Sequence, residues 1–183
     1  MLFSGLSVEA HYYDPTGVYA INRASTSVTV VPGPESVTSV SPASGSGLTQ
    51  SFTAVYQDTR GAADFYDVGI MFSFTQYTGN ETCQVVYYPS SNNLWLQNNL
   101  TDPYGGGQSL KPGSSSSVSN GLCTLSGAGS SVTKSGDTLT VTYALTFNSW
   151  LLNQQRNIYL RSEDIDDSDS SWEPLGTWTP QSQ

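Results

Sequence analysis

Between Thr138 and Phe147 the chain alternates without a break. Leu139, Val141, Tyr143, Leu145 and Phe147 fall on one side, and Thr138, Thr140, Thr142, Ala144 and Thr146 on the other. A period of two held this long specifies a β-strand with one face buried and one face wet. The same rhythm recurs at Phe52, Ala54 and Tyr56, which alternate with Ser51 and Thr53, and at Val68, Ile70, Phe72 and Phe74. Val85 and Tyr87 follow Cys83, Leu94 and Leu96 follow a polar turn at 89–93, and Ile158 and Leu160 precede an acidic loop. A last strand is expected over 172–179. No segment carries a sustained 3.6-residue apolar stripe; the best helical candidate, 148–155, is short and weakly capped, so at most one turn is expected there. Residues 37–180 thus give seven to nine short strands, the pattern of an all-β, Ig-like Greek-key β-sandwich. Gly105 to Gly107 and Ser114 to Ser117 read as a low-complexity insertion between strands.

Two blocks are expected. Residues 35–183 hold the sandwich, in a chain of 183 residues that is long enough to bury a core. Residues 1–34 form a strand block of their own, with Val8 to Tyr13 and Val18 to Ile21 flanking an Asp14-Pro15-Thr16-Gly17 turn, and Val28 to Val31 ahead of Pro32-Gly33-Pro34. That block is too short for its own core. It either ends a preceding β-domain, completes the chain's own sheet, or docks on a neighbouring copy by strand addition and links subunits head to tail. Met1-Leu2-Phe3 has neither the basic region nor the apolar run of a signal peptide, so a fragment of a longer exported protein is expected.

Charge narrows the function. Only 11% of residues are charged, and 6 basic against 15 acidic residues leave a net charge of −9. Nucleic acid and anionic membranes are therefore poor partners, since no basic surface exists to neutralise phosphates. No apolar run is long enough to span a bilayer. Solubility rests on hydroxyls and amides, with 48 Ser and Thr in the sequence. Such a composition suits exported proteins, so an extracellular or cell-surface location is expected. Cys83 and Cys123 have no second Cys or His at metal spacing, which leaves a disulfide or two buried thiols, with the exported composition favouring the disulfide. Asn80-Glu81-Thr82 and Asn99-Leu100-Thr101 match the glycosylation sequon, a match that arises readily by chance in a chain rich in Thr and Asn.

Several segments carry a resemblance. Ser39 to Gly47 (SVSPASGSG) leads into Phe52 to Asp58 (FTAVYQD) and Gly61-Ala62-Ala63-Asp64; later come Cys123 to Val132 (CTLSGAGSSV), Gly136 to Val141 (GDTLTV) and Leu175 to Thr179 (LGTWT). Over roughly residues 38–180 the chain resembles an Ig-like module that recurs in long secreted or surface-attached bacterial proteins. The resemblance implies that the two cysteines pair and that other Ig-like domains precede this one. It implies no defined activity. The acidic loop departs from the pattern by being far more charged.

That loop, Glu163 to Asp169, packs five acids into seven residues. In a sandwich of this strand order it emerges at the same end as the loop 58–64. Asp58, Asp64, Asp164, Asp166 and Asp167 are candidates for the oxygen-rich shell that Ca²⁺ prefers, although EF-hand spacing is absent. The bland alternative is a solvated acidic tip partly offset by Arg60 and Arg161. Trp95 and Tyr88 face away from their apolar neighbours and, with Tyr104, form a candidate aromatic platform for sugar rings, against the commoner role of edge cover. No enzyme is expected: His11 is the only histidine, no nucleophile elbow precedes a helix, and the acids cluster on loops. The expected function is a structural or adhesive module of a larger surface or secreted protein, requiring no cofactor, with Ca²⁺ as a candidate ion, and partnered by other β-domains or copies of itself. The alternative is a carbohydrate-binding module attached to a secreted hydrolase, with polysaccharide as partner.

Overall fold

In the computed structural model the described residues are 35–76, 82–98 and 106–182. The chain divides between Pro32 and Gly33, and all the described residues belong to the second unit, Gly33–Gln183. The 1–34 block, Tyr104 and the two sequon asparagines lie outside the described residues.

Among the described residues twelve strands make two sheets: β1 (Glu35–Ser41), β2 (Ser44–Ser46), β3 (Thr49–Asp58), β4 (Phe65–Ser73), β5 (Cys83–Tyr88), β6 (Asn93–Gln97), β7 (Gly107–Leu110), β8 (Ser117–Ser119), β9 (Cys123–Ser135), β10 (Thr138–Phe147), β11 (Arg156–Asp164) and β12 (Glu173–Thr179). The first sheet runs β1-β3-β10-β9-β8 and the second β2-β12-β11-β4-β5-β6-β7. All pairings are antiparallel except β2 with β12. The sequence expectation of an all-β sandwich holds. The turn at 148–155 shrinks to a single 3₁₀ turn, Ser149–Leu151, whose Asn148 makes no side-chain cap.

Every inward residue of β10 is buried, and these meet Phe52, Ala54 and Tyr56 of β3, Ile70 and Phe72 of β4, Val85 of β5, Leu94 and Leu96 of β6, and Ile158 and Leu160 of β11. Phe52 lies at the centre, its ring 4.7 Å from that of Phe72 and 5.1 Å from that of Trp178. One polar link crosses this core. Tyr56 donates from its hydroxyl to the Gly69 carbonyl at 3.0 Å, and its oxygen meets the Tyr143 hydroxyl at 3.1 Å. Burial is the main force pushing both phenols above their ordinary range, so both stay neutral hydrogen-bonding groups.

Two expectations are corrected. The stretch read as a low-complexity insertion contains β7 and β8, two short polar strands at sheet edges. They are held by backbone ladders and lack the apolar alternation that would announce them. Phe74 does not continue the buried face of β4: the strand ends at Ser73, and the ring turns outward, 53% exposed, with the Arg156 guanidinium 3.4 Å from its centroid.

At the other edge the chain passes from β1 in one sheet to β2 in the other, where β2 lies against Trp178. Gly45 has φ +147°, and a Cβ there would come within 2.6 Å of the Trp178 ring. The indole stays seated because its Nε1 donates to the Gly47 carbonyl at 3.0 Å.

Cys83 and Cys123 form a disulfide, with Cα atoms 5.8 Å apart, joining β5 of the second sheet to β9 of the first. The bridge spans a sequence separation of 40, which stabilises the fold by about 4 kcal/mol on the chain-entropy model. Thiol titration of the denatured, unreduced chain should find no reactive sulfhydryl. The Cys83→Ala/Cys123→Ala double variant should melt about 8–16 °C lower, read by calorimetry. An unchanged melting temperature would contradict the stapling role.

Candidate functional site

Two surfaces of the sandwich gather chemistry. The first is the end where the β3–β4 loop meets the β11–β12 loop. The two loops are joined through the backbone, with Ile165 N–H donating to the Asp64 carbonyl at 3.0 Å. Each of the buried acids also organises its own turn: Asp58 Oδ1 accepts from Arg60 N–H at 2.8 Å, and Asp164 Oδ1 accepts from Asp166 and Ser168 N–H at 2.8 and 3.0 Å. This is the Asx-turn chemistry that favours Asp in tight loops.

Arg60 stands between these acids. Its Nε lies 2.6 Å from Asp64 Oδ2, its Nη2 2.5 Å from Asp164 Oδ2, its Nη1 against Asp166, and Asp58 is 3.9 Å away. Hydrogen bonding to Asp166 is the first cause that raises the guanidinium pKa, so the group stays charged. Asp58, Asp64 and Asp164 each bring a carboxylate oxygen within 4.8 Å of the others. Of the five candidate ligands, the structure therefore gathers three. Asp166 touches Arg60 but is 68% exposed, and Asp167 is exposed and outside the trio. The sequence reading missed Glu35: it is buried, pairs in register with Asp58, and accepts from the Ser168 hydroxyl at 2.9 Å.

The second surface is the outer face of the second sheet. Tyr87, Leu94 and Leu96 point into the core, so Tyr88 and Trp95 point out. Between β4 and β11 the register slips at Glu163/Asp164, leaving Tyr66 as an extra residue. Such a bulge re-aims a side chain. The Tyr66 ring, 52% exposed, packs edge-on to Tyr88 with centroids 6.1 Å apart. Tyr66, Tyr88 and Trp95 line a shallow concavity of about 490 Å³ together with Ser90, Ser91 and Gln97. Tyr104, the third residue of the expected platform, lies outside the described residues. Tyr66 was not foreseen; the bulge that places it depends on the neighbouring strand.

Beside the concavity, Arg161 grips Asp169 through Nε at 3.1 and 3.0 Å, Asp67 through Nη1 at 3.1 Å, and Glu163 through Nη2. Burial pushes the Asp67 carboxyl up to about 6, opposed by Arg161 and assisted by Glu163 and Asp169. An acid with a raised folded-state pKa keeps a proton that the unfolded chain has released, so its contribution to stability falls as pH rises from about 4 to 6. Asp67→Asn removes that fall. Relative to the parent, the variant should gain stability across this window in denaturant titrations at successive pH values; a parallel pair of curves would refute the assignment.

No family model matches the sequence, and no curated protein matches it.

Proposed function

We propose that this chain is a non-catalytic, extracellular adhesive module of a larger surface or secreted protein, and that it meets a glycan on the outer face of its second sheet. The observation that carries the reading is the concavity lined by Tyr66, Tyr88 and Trp95. Sugar rings present C–H faces that stack on aromatic rings and hydroxyls that need polar partners, and Gln97, Ser90 and Ser91 supply those partners beside the rings. Its volume is in the range of ordinary ligand sites. The cross-sheet disulfide favours an oxidising compartment. Among the described residues no helix is long and apolar enough to cross a membrane.

The strand order supports the Ig-like reading. The strands β1-β3-β10-β9 and β12-β11-β4 fit the strand order of a seven-stranded Ig sandwich, with β8 added to the first sheet and β2, β5, β6 and β7 to the second. In Ig domains such sheets and loops present ligand surfaces without catalysis. The head-to-tail assembly expected of residues 1–34 falls outside the described residues.

The full chain should be retained on an insoluble polysaccharide panel, and soluble oligosaccharides of the retained type should quench tryptophan fluorescence. Trp95→Ala removes a half-buried ring at the sheet surface and should weaken binding at least about fivefold, the loss expected of one stacking contact of about 1 kcal/mol or more. Retention by no polysaccharide, or binding unchanged in Trp95→Ala and Tyr88→Ala, would remove the glycan reading.

A further inference from the structure

The acidic end contains more negative charge than its arginine answers. Four carboxylates, those of Asp58, Asp64, Asp164 and Asp166, surround one guanidinium, a net of three negative charges. Crowded acids are common at loop tips and would say little alone. The buried oxygens say more. Asp58 is 0% exposed, and its Oδ2 has no hydrogen-bond partner; Glu35, beside it in register, is 6% exposed, and its Oε2 has none either. A buried carboxylate oxygen without a donor has lost its water for no return, which proteins normally avoid by supplying a hydrogen bond or a cation.

We infer that Asp58, Asp64 and Asp164 form a Ca²⁺ site that clamps the β3–β4 loop to the β11–β12 loop, and that the Arg60 guanidinium occupies its place when Ca²⁺ is low. Ca²⁺ takes oxygens at about 2.3–2.6 Å, so ligands across one ion stand up to about 5 Å apart. Three carboxylate oxygens within 4.8 Å of one another meet that requirement. Ca²⁺ accepts six to eight oxygens in a flexible shell, and water completes what three carboxylates begin. Arg60 is able to leave: its side chain is 38% exposed, and in swinging to solvent it keeps Asp166, which is itself exposed, as a partner. Exchange of one positive charge for two brings the buried trio closer to neutrality. Because Arg60 must be displaced, binding to the natural chain falls in the roughly millimolar range of extracellular modules.

The test is a calcium titration of the full chain, followed by melting temperature and by calorimetric heat of binding, with magnesium and matched sodium chloride as controls. Millimolar Ca²⁺ should raise the melting temperature by about 3–6 °C once tenfold above the dissociation constant. Arg60→Gln should reach the same rise at a Ca²⁺ concentration at least about tenfold lower, since the competing cation is gone. Asp164→Asn should abolish both heat and shift, whereas Asp166→Asn, outside the trio, should keep them. Equal shifts with sodium chloride would mean charge screening and would overturn the site. So would an Arg60→Gln chain, folded by circular dichroism, that binds no Ca²⁺. Should Arg60→Gln fail to fold, the heat of Ca²⁺ binding to the natural chain decides: its absence overturns the proposal, and its presence with loss in Asp164→Asn upholds it.

Discussion

The packing of Phe52 against both sheets is the contact on which the rest of the sandwich turns. Its ring reaches Phe72 of β4, Trp178 of β12 and Phe147 of β10, so one side chain from β3 touches strands of both layers. Burying an aromatic side chain of this size contributes on the order of 2–3 kcal/mol, and close aromatic pairs add to that. The consequence is positional. Trp178 seated against Phe52 holds β12, β12 holds β2 in parallel, and β11 between β12 and β4 carries the acidic loop to its place. The disulfide fixes the distance between the layers at β5 and β9, beside this aromatic centre, because Cys83 pairs in register with Phe72 and Cys123 with Phe147.

A core this apolar admits polar groups only under strict terms, and the structure meets them with few devices. The Tyr56 and Tyr143 hydroxyls satisfy each other and a carbonyl of the opposite sheet, so the layers are joined by a directional bond as well as by apolar area. At the loop end, backbone N–H groups satisfy one oxygen each of Asp58 and Asp164. Part of what backbone donors leave over falls to two arginines. Arginine suits that task because its planar fork addresses several carboxylates at once.

The architecture was legible where alternation is a property of one strand. The ten-residue pattern of β10 and the rhythm of β3 translate directly into a buried face and a wetter one. Legibility failed where structure depends on a neighbour. Tyr66 reaches the outer face because β4 carries one more residue than β11 at that point, and no property of Tyr66 announces it. Glu35 joins the acidic end through Ser168, 133 residues away, and Asp67 sits among apolar residues that disguise a charged contact with Arg161. The acids of the loop after β11 were conspicuous by density. Which of them turn inward was not, because Asp164 is buried at the point where the β11–β12 loop meets the β3–β4 loop, a contact between distant segments.

The two arginine networks differ in a way that divides the labour of this end of the molecule. Arg161 lies on the outer face, and its three carboxylates each take one or more of its donors, which leaves a network closed on itself. Its neighbour is the aromatic concavity: the Tyr88 phenol is raised first by burial and next by the charge of Asp67. Protonation of Asp67 near pH 6 therefore alters the field at the rim of that concavity. Arg60 faces acids that keep oxygens to spare, and salt screens its exposed contact with Asp166 far more than its contact with buried Asp164. One guanidinium thus adjoins the aromatic concavity, while the other holds two loops together among acids whose charge it only partly offsets.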